Sequence, residues 1–237
     1  MAFERKFGES LPDWVPPPRP DAQVLTGQYA RLERLDPAAH AEALYQAMRV
    51  DDAIWDYMWI GPFADLASHG QWIKEAACGH DPYFFAIRDI LSDQLGGVAS
   101  FLRIAPDVGS IEVGSITLAP ALQRSRAATE AMFLMMQWAF DAGYRRYEWK
   151  CDALNLPSRR AAQRLGFSYE GIFRQATIYK GRNRDTAWFA VTDGDWPGLR
   201  AAYLRWLDPL NFDASGRQTL RLSDLTQPLL VMRDPAF

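Results

Sequence analysis

The stretch Asp152–Gly171, DALNLPSRRAAQRLGFSYEG, carries the strongest local instruction in this chain. Asn155 and Ser158 flank Pro157 where a helical pattern begins. Short polar side chains accept from the first helical amides, and proline suits a first turn that has no use for its missing N–H. Arg159 and Arg160 follow on the same turn. Gly166 supplies a left-handed stop, and the residues from Phe167 onward alternate as a strand. A helix over Asn155–Leu165 and a strand over Phe167–Tyr179 are therefore expected back to back. Capping alone accounts for Asn155 and Ser158, so these features by themselves leave function open.

Just upstream, Ile116–Ala131, ITLAPALQRSRAATEA, runs from a strand through a short loop into the longest helical pattern, Leu122–Ala142. That helix is apolar almost all round, so it must be covered on several sides. Its first amides lack internal partners and carry the positive end of the helix dipole. Small residues there, with Arg124 and Arg126, suit the approach of a phosphorylated ligand, although solvated surface arginines read the same way. Tyr144–Cys151 alternates as a strand. Toward the N-terminus, Gln23–Leu35 has a strand–turn–strand pattern about Gly27. Asp36-Pro37 opens a helix through Met48, and Asp65–Ala77 forms a second. Tyr83–Arg88, Gly96–Ile104 and Ser110–Leu118 then read as an antiparallel meander. Beyond Tyr179 come the turn KGRNRD, a strand over Thr186–Thr192 and a helix over Asp195–Leu207. One mixed sheet with helices on both faces accommodates this order.

Composition narrows the class. Half the 237 residues are apolar (49%) and nine are Trp, enough for a substantial core. The balance of 26 basic against 29 acidic residues, net −3, argues against nucleic-acid binding by bulk charge. No run of 18 apolar residues and no secretory leader is present, so a soluble, cytoplasmic protein without a membrane partner is expected. Cys78 and Cys151 stand apart without metal-ligand spacing, so neither a disulfide framework nor a metal site is expected. Cys151 has no sequence-near His to make it a nucleophile. His40, His69 and His80 show no ligand pattern and are read as surface residues. Residues 1–22 hold five prolines and read as an extended arm over the body, with Phe3, Phe7, Trp14 and Val15 as anchors. Residues 23–207 form the domain, and 208–237 an extension packed on it.

Taken together, the two segments resemble the GNAT superfamily of acyl-CoA-dependent N-acyltransferases, most closely the branch of ribosomal-protein N-terminal (Rim-type) acetyltransferases. That branch has a Q/R-x-x-G-x-A pyrophosphate loop followed by T-E-A. Here it stands as Gln123-Arg124-Ser125-Arg126-Ala127-Ala128, then Thr129-Glu130-Ala131. The second motif, N-x-x-S, a basic pair and L-G-F-x-x-E-G, is matched in full by Asn155, Ser158, Arg159, Arg160 and Leu165–Gly171. Lys180-Gly181-Arg182 and Arg184-Asp185-Thr186 also resemble the branch, and the likeness covers about residues 23–192. Arg126 departs from it, standing where the family has glycine. A positive φ there would strain an arginine; the expectation is ordinary helical geometry with the guanidinium free to reach a phosphate.

The resemblance implies a GNAT-type α/β (α+β) fold, with a mostly antiparallel sheet and a splayed parallel pair, Ile111–Leu118 and Tyr144–Cys151, at the cofactor site. It implies acetyl-CoA as acyl donor and no metal. Thr117 and Leu118 would present backbone amides to the pantetheine and thioester. Gln123, Arg124, Ser125, Arg126, Ala127 and Ala128 would hold the pyrophosphate, with Asn155, Ser158 and Arg159 also on the cofactor side. It further implies that the acceptor would be a primary amine on a protein N-terminus, an amino acid or another small molecule, and the protein a monomer or homodimer. Glu112 and Ser115 are polar residues in an apolar strand beside the expected acetyl position. Glu112 is the candidate base, although strand alternation equally makes it a solvent-facing residue. Tyr179 and Tyr169 are candidate acids toward the thiolate. Trp55, Asp56, Tyr57, Trp59 and Trp72 form either a substrate wall or a core cluster. Two other readings stay open: a different acyl-CoA donor, and a non-catalytic module that binds CoA or a protein.

Overall fold

Successive side chains of the meander alternate between two cores, and this alternation organises the molecule. Phe85 and Ile87 face one core while Phe84 and Ala86 face the other. The computed structural model describes residues 6–237, so residues 1–5 of the arm, Phe3 among them, lie outside the described residues. The strands are β1 (Val24–Thr26), β2 (Ala30–Arg34), β3 (Tyr83–Asp89), β4 (Gln94–Ala105), β5 (Ser110–Leu118), β6 (Arg146–Asp152), β7 (Ser168–Tyr179) and β8 (Arg182–Thr192). They form one sheet in the order β1-β2-β3-β4-β5-β6-β8-β7, antiparallel throughout except for the β5–β6 pair.

Helices α1 (Pro37–Met48) and α2 (Leu66–Cys78) cover one face through Leu44, Met48 and Ile73. The other face carries α3 (Arg126–Asp141), α4 (Leu156–Arg164), α5 (Trp196–Leu207) and the short α6 (Leu222–Thr226). Asp36 caps α1 by accepting from the Ala39 amide at 2.8 Å. The β7–β8 turn is two residues, Lys180-Gly181, both at positive φ (46° and 70°), which matches the twist of a tight hairpin. For that reason β8 begins at Arg182, four residues before the expected Thr186.

The helix expected from Leu122 begins instead at Arg126. Arg124 takes φ 59°, which breaks the helical path, and Ser125 caps the new start by accepting from the Ala128 amide at 2.9 Å. Arg126 is accordingly helical, and the positive φ falls two residues before the position where the family has glycine. Within α3, Glu130 is buried and takes three amides of the β1–β2 turn: Gln28 at 2.9 Å, Tyr29 at 2.6 Å and Ala30 at 2.7 Å. A Cβ at Gly27 would lie 2.3 Å from the Glu130 carboxyl carbon, so only glycine fits that turn.

Two of the three histidines expected at the surface are buried. His40 accepts from the Asp36 amide at Nδ1 (3.0 Å), which leaves the proton on Nε2 to donate to Glu33 at 3.0 Å. His69 sits among Tyr45, Phe63 and Trp72, and burial pushes its pKa down to about 4. His80 alone is exposed.

The proline-rich arm lies against the body by Pro17 and Pro20, which are buried, and by the Tyr144 hydroxyl donating to Pro18 O at 3.0 Å. Of the expected anchors among the described residues, Trp14 is half-buried beside Gly109, whereas Phe7 and Val15 are 87% and 75% exposed, and prolines take their place. The segment after α5 is fastened differently. Asp234 is wholly buried and forms a two-pronged pair with Arg159 of α4, whose Nη1 also donates to Ala153 O at 2.8 Å.

Candidate active site

The parallel pair β5–β6 is hydrogen-bonded only from Ser110↔Arg146 to Val113↔Trp149, although both strands continue. Past that rung they splay. On the opposite side of β5, Val98 pairs with Thr117 and Ser100 with Gly114, so Ser115 and Ile116 together face Ala99 alone. Ser115 accommodates this bulge with φ 49°. A cleft of about 590 Å³ opens at the splay, walled by β5, β6, the start of α4 and the segment Ile54–Trp59.

One end of the cleft is built from backbone and small polar groups. Gln123 and Arg124 line it, and the Gln123 side-chain Nε2 donates to Leu118 O at 3.0 Å. Ser125 consumes the Ala128 amide, leaving the earlier first-turn amides of α3 without helical acceptors. Across the gap, Asn155 caps α4 by accepting from the Ser158 amide at 3.0 Å, and the Ser158 hydroxyl accepts from Trp149 Nε1 at 3.0 Å. Thr117 lines the same wall with its hydroxyl buried and without a partner among the described residues. Such a group is costly unless something supplies the missing bond.

The other end is charged. Glu112 is 2% exposed, with Arg103 donating to Oε1 at 2.7 Å and the Lys150 ammonium 2.8 Å from Oε2. Lys150 also reaches Glu148 at 2.6 Å, and Arg146 joins Glu148 to Glu170. Burial raises the Glu112 pKa, and Lys150 and Arg103 oppose it. Arg184 lies against Trp59 with its Nε buried and unpartnered among the described residues. Cys151 lines the cleft, but burial pushes its thiol up to about 11, so it stays protonated and weakly nucleophilic at neutral pH.

Residues 30–168 match the family model of the acetyltransferase (GNAT) domain. A GCN5-related N-acetyltransferase from Brucella melitensis is 45% identical over 92% of this chain and all of its own, with TM-score 0.89. The chain belongs to the GNAT acetyltransferases. A GNAT-family protein from Chromobacterium violaceum ATCC 12472 is 35% identical over 83% of this chain and all of its own, with TM-score 0.77. RimL, a ribosomal-protein alpha-N acetyltransferase solved with coenzyme A, shares the fold at TM-score 0.62, with 21% identity over 72% of this chain and 98% of its own. No curated protein sequence matches the chain.

In this GNAT chain the cleft gathers Glu112, Ser115, Thr117, Leu118, Gln123, Arg124, Asn155 and Ser158 from the sequence-predicted set. Ser125, Arg126 and Ala127 line a neighbouring cavity instead, and Ala128 is buried in the first turn of α3. Arg159 faces away, held by Asp234. Tyr179 stands behind Trp59, its hydroxyl donating to Asp152 at 2.9 Å and its pKa pushed to about 12 by burial and that carboxylate. Tyr169 packs on Phe189, outside the cleft. The aromatic cluster divides: Trp55 and Trp72 belong to the core, whereas Tyr57 and Trp59 wall the cleft. Arg103 and Lys150 were not singled out from the sequence, and Arg184 entered only as part of a turn resembling the branch, with no role at the site. Among the described residues no group of three His, Cys, Asp or Glu side chains could hold a metal ion, and no helix is long and apolar enough to cross a membrane.

Proposed function

We propose that this chain transfers an acetyl group from acetyl-CoA directly to a primary amine, as a cytoplasmic N-acetyltransferase. The supporting observation is the break in pairing after Val113↔Trp149 beside the Ser115 bulge, which leaves one strand's backbone free toward a cleft. Acetyl-CoA supplies an activated acyl group that a neutral amine takes directly, with the free thiol as leaving group. The residues present fit such a donor. Backbone groups of β5 and the Thr117 hydroxyl, unpartnered among the described residues, line an extended polar arm's path, and the first turn of α3 faces a diphosphate's charge. Ser158, anchored to Trp149, stands on the leaving-group side. Glu112 is the proton acceptor, acting directly or through water; burial favours its protonated form, and Lys150 and Arg103 keep the carboxylate accessible at neutral pH. Tyr179 keeps a proton that its contact with Asp152 orients.

The walls also select the acceptor. On the acceptor side Arg103 and Lys150 are paired with Glu112 and Glu148, and Asp152 accepts from Tyr179 and the Leu154 amide, so Arg184 is the charge left without an ion pair among the described residues. An unpaired guanidinium attracts an anionic group and repels a polycation. An amine carrying an anionic group fits better than a polyamine or an aminoglycoside, so the acceptor is an amino acid, a protein N-terminus or a similar small amine.

The test is thiol release from acetyl-CoA, with product mass measured, across amino acids, peptides with free N-termini, polyamines and aminoglycosides. Acetylated product from the anionic or peptide group is expected. Turnover confined to the polycations would discard the acceptor class. Failure of every amine, with binding of acetyl-CoA intact, would leave a non-catalytic CoA-binding module.

A further inference from the structure

A second cavity, about 430 Å³, lies beyond the first turn of α3 and shares Arg124 with the cleft. Four arginines line it: Arg124, Arg126, Arg164 and Arg217. None forms an ion pair with a described residue. The one carboxylate on its wall, Asp89, is occupied by the Leu91 and Ser92 amides at 2.8 and 3.3 Å. Aromatic rings set the guanidinium positions. Arg126 lies 4.6 Å from the Tyr29 ring centre and 4.7 Å from that of Phe212, and Arg164 lies over Trp206. Phe212, Gly216 and Arg217 come from the segment after α5, outside the residues matched to the family domain.

We infer that this cavity receives the 3′-phosphate of coenzyme A, with the segment after α5 forming its outer wall. The inference rests on the acyl-CoA reading and deepens it. Coenzyme A carries its charge in two packages, a diphosphate and a 3′-phosphate separated by a ribose. The cleft offers one cation, Arg124, at its cofactor end. The second package needs another basic site close by, and clustered guanidinium groups that no carboxylate pairs are suited to a phosphate dianion. Arginine in place of glycine at position 126 is then part of this site, since stacking on Phe212 turns its side chain away from the cleft and into the cavity.

Calorimetry on the full chain with coenzyme A and with 3′-dephospho-CoA tests it. The unaltered protein should prefer coenzyme A by about 10- to 100-fold, the range of charge-assisted hydrogen bonds. The double variant Arg126→Gln/Arg217→Gln should bring the two affinities within about threefold, chiefly by weakening coenzyme A. Arg217 is exposed, so Arg217→Gln alone, with an unchanged melting temperature, should remove part of the preference without disturbing the fold. Equal affinities in the unaltered protein, or a preference that survives the double change, would overturn the assignment. If neither nucleotide binds, it is the acyl-CoA reading that falls.

Discussion

The floor of the cleft and the cavity beyond α3 are both crowded with charge, but they treat it in opposite ways. At the floor, Arg103, Glu112, Lys150, Glu148, Arg146 and Glu170 form one chain of contacts in which each charge meets its opposite. Beyond α3, four arginines face the same space and none has an ion-pair partner among the described residues. A buried charge is tolerable only when paired, so the first arrangement can hold a carboxylate in an apolar strand. Unpaired guanidinium groups repel one another, and a protein keeps them together at the expense of stability. The paired set reads as machinery that positions a proton, and the unpaired set as a site awaiting an anion.

Substitutions sharpen this contrast. The largest effect is expected from Glu112→Gln, which should lower kcat by ~10²–10⁴-fold with little change in acetyl-CoA affinity. Because burial raises the Glu112 pKa above the ordinary 4.5, the rate should fall as pH drops through a limb lying above that value. The variant should lose the limb. A wild-type rate and profile at saturating amine would make the paired chain structural scaffolding.

Asp234→Ala comes next. It leaves Arg159 buried and uncompensated, at a cost of about 3–5 kcal/mol read from denaturant midpoints. A loss below about 1 kcal/mol would show that the pair is no anchor.

The smallest effect concerns the cleft's own unpaired cation, Arg184, whose Nε is buried and unpartnered among the described residues. Arg184→Gln should raise KM about tenfold for an amine bearing a carboxylate and hardly at all for its amide, while stability stays within about 0.5 kcal/mol. Equal KM changes for both acceptors would remove Arg184 from recognition.

Much of the fold is legible locally. Ser110–Leu118 and Pro37–Met48 fall where alternation and the Asp36-Pro37 start place them, because periodicity and capping are encoded in adjacent residues. The helix-start pattern placed Asn155 and Ser158 on the first turn of a helix, and it was the resemblance, not the pattern, that put them on the cofactor side. What was missed depends on register. Lys150 meets Glu112 only because the parallel pairing sets Glu112 beside Glu148, and no window of sequence holds both strands. Arg184 reaches Trp59 across the molecule, and Asp234 reaches Arg159 over 75 residues. His69 was within reach: with Ile73 and Ala76 it continues an i, i+4, i+7 stripe on α2, a pattern that marks a buried face even for a polar residue. The late start of α3 left no such trace, since any residue there could be helical until Arg124 takes a left-handed turn.

The Arg159–Asp234 pair has a consequence for how the protein is made. Arg159 follows Ser158 directly in the first turn of α4, the turn that forms one wall of the cleft, and its carboxylate comes 75 residues later. At a synthesis rate of roughly 5–20 residues per second, that delay is roughly 4–15 s. During that interval the helix that shapes the cleft has a cation to bury and nothing to bury it against. The first turn of α4 therefore reaches its final packing only after Asp234 has been synthesised, later than the strands that form the opposite wall.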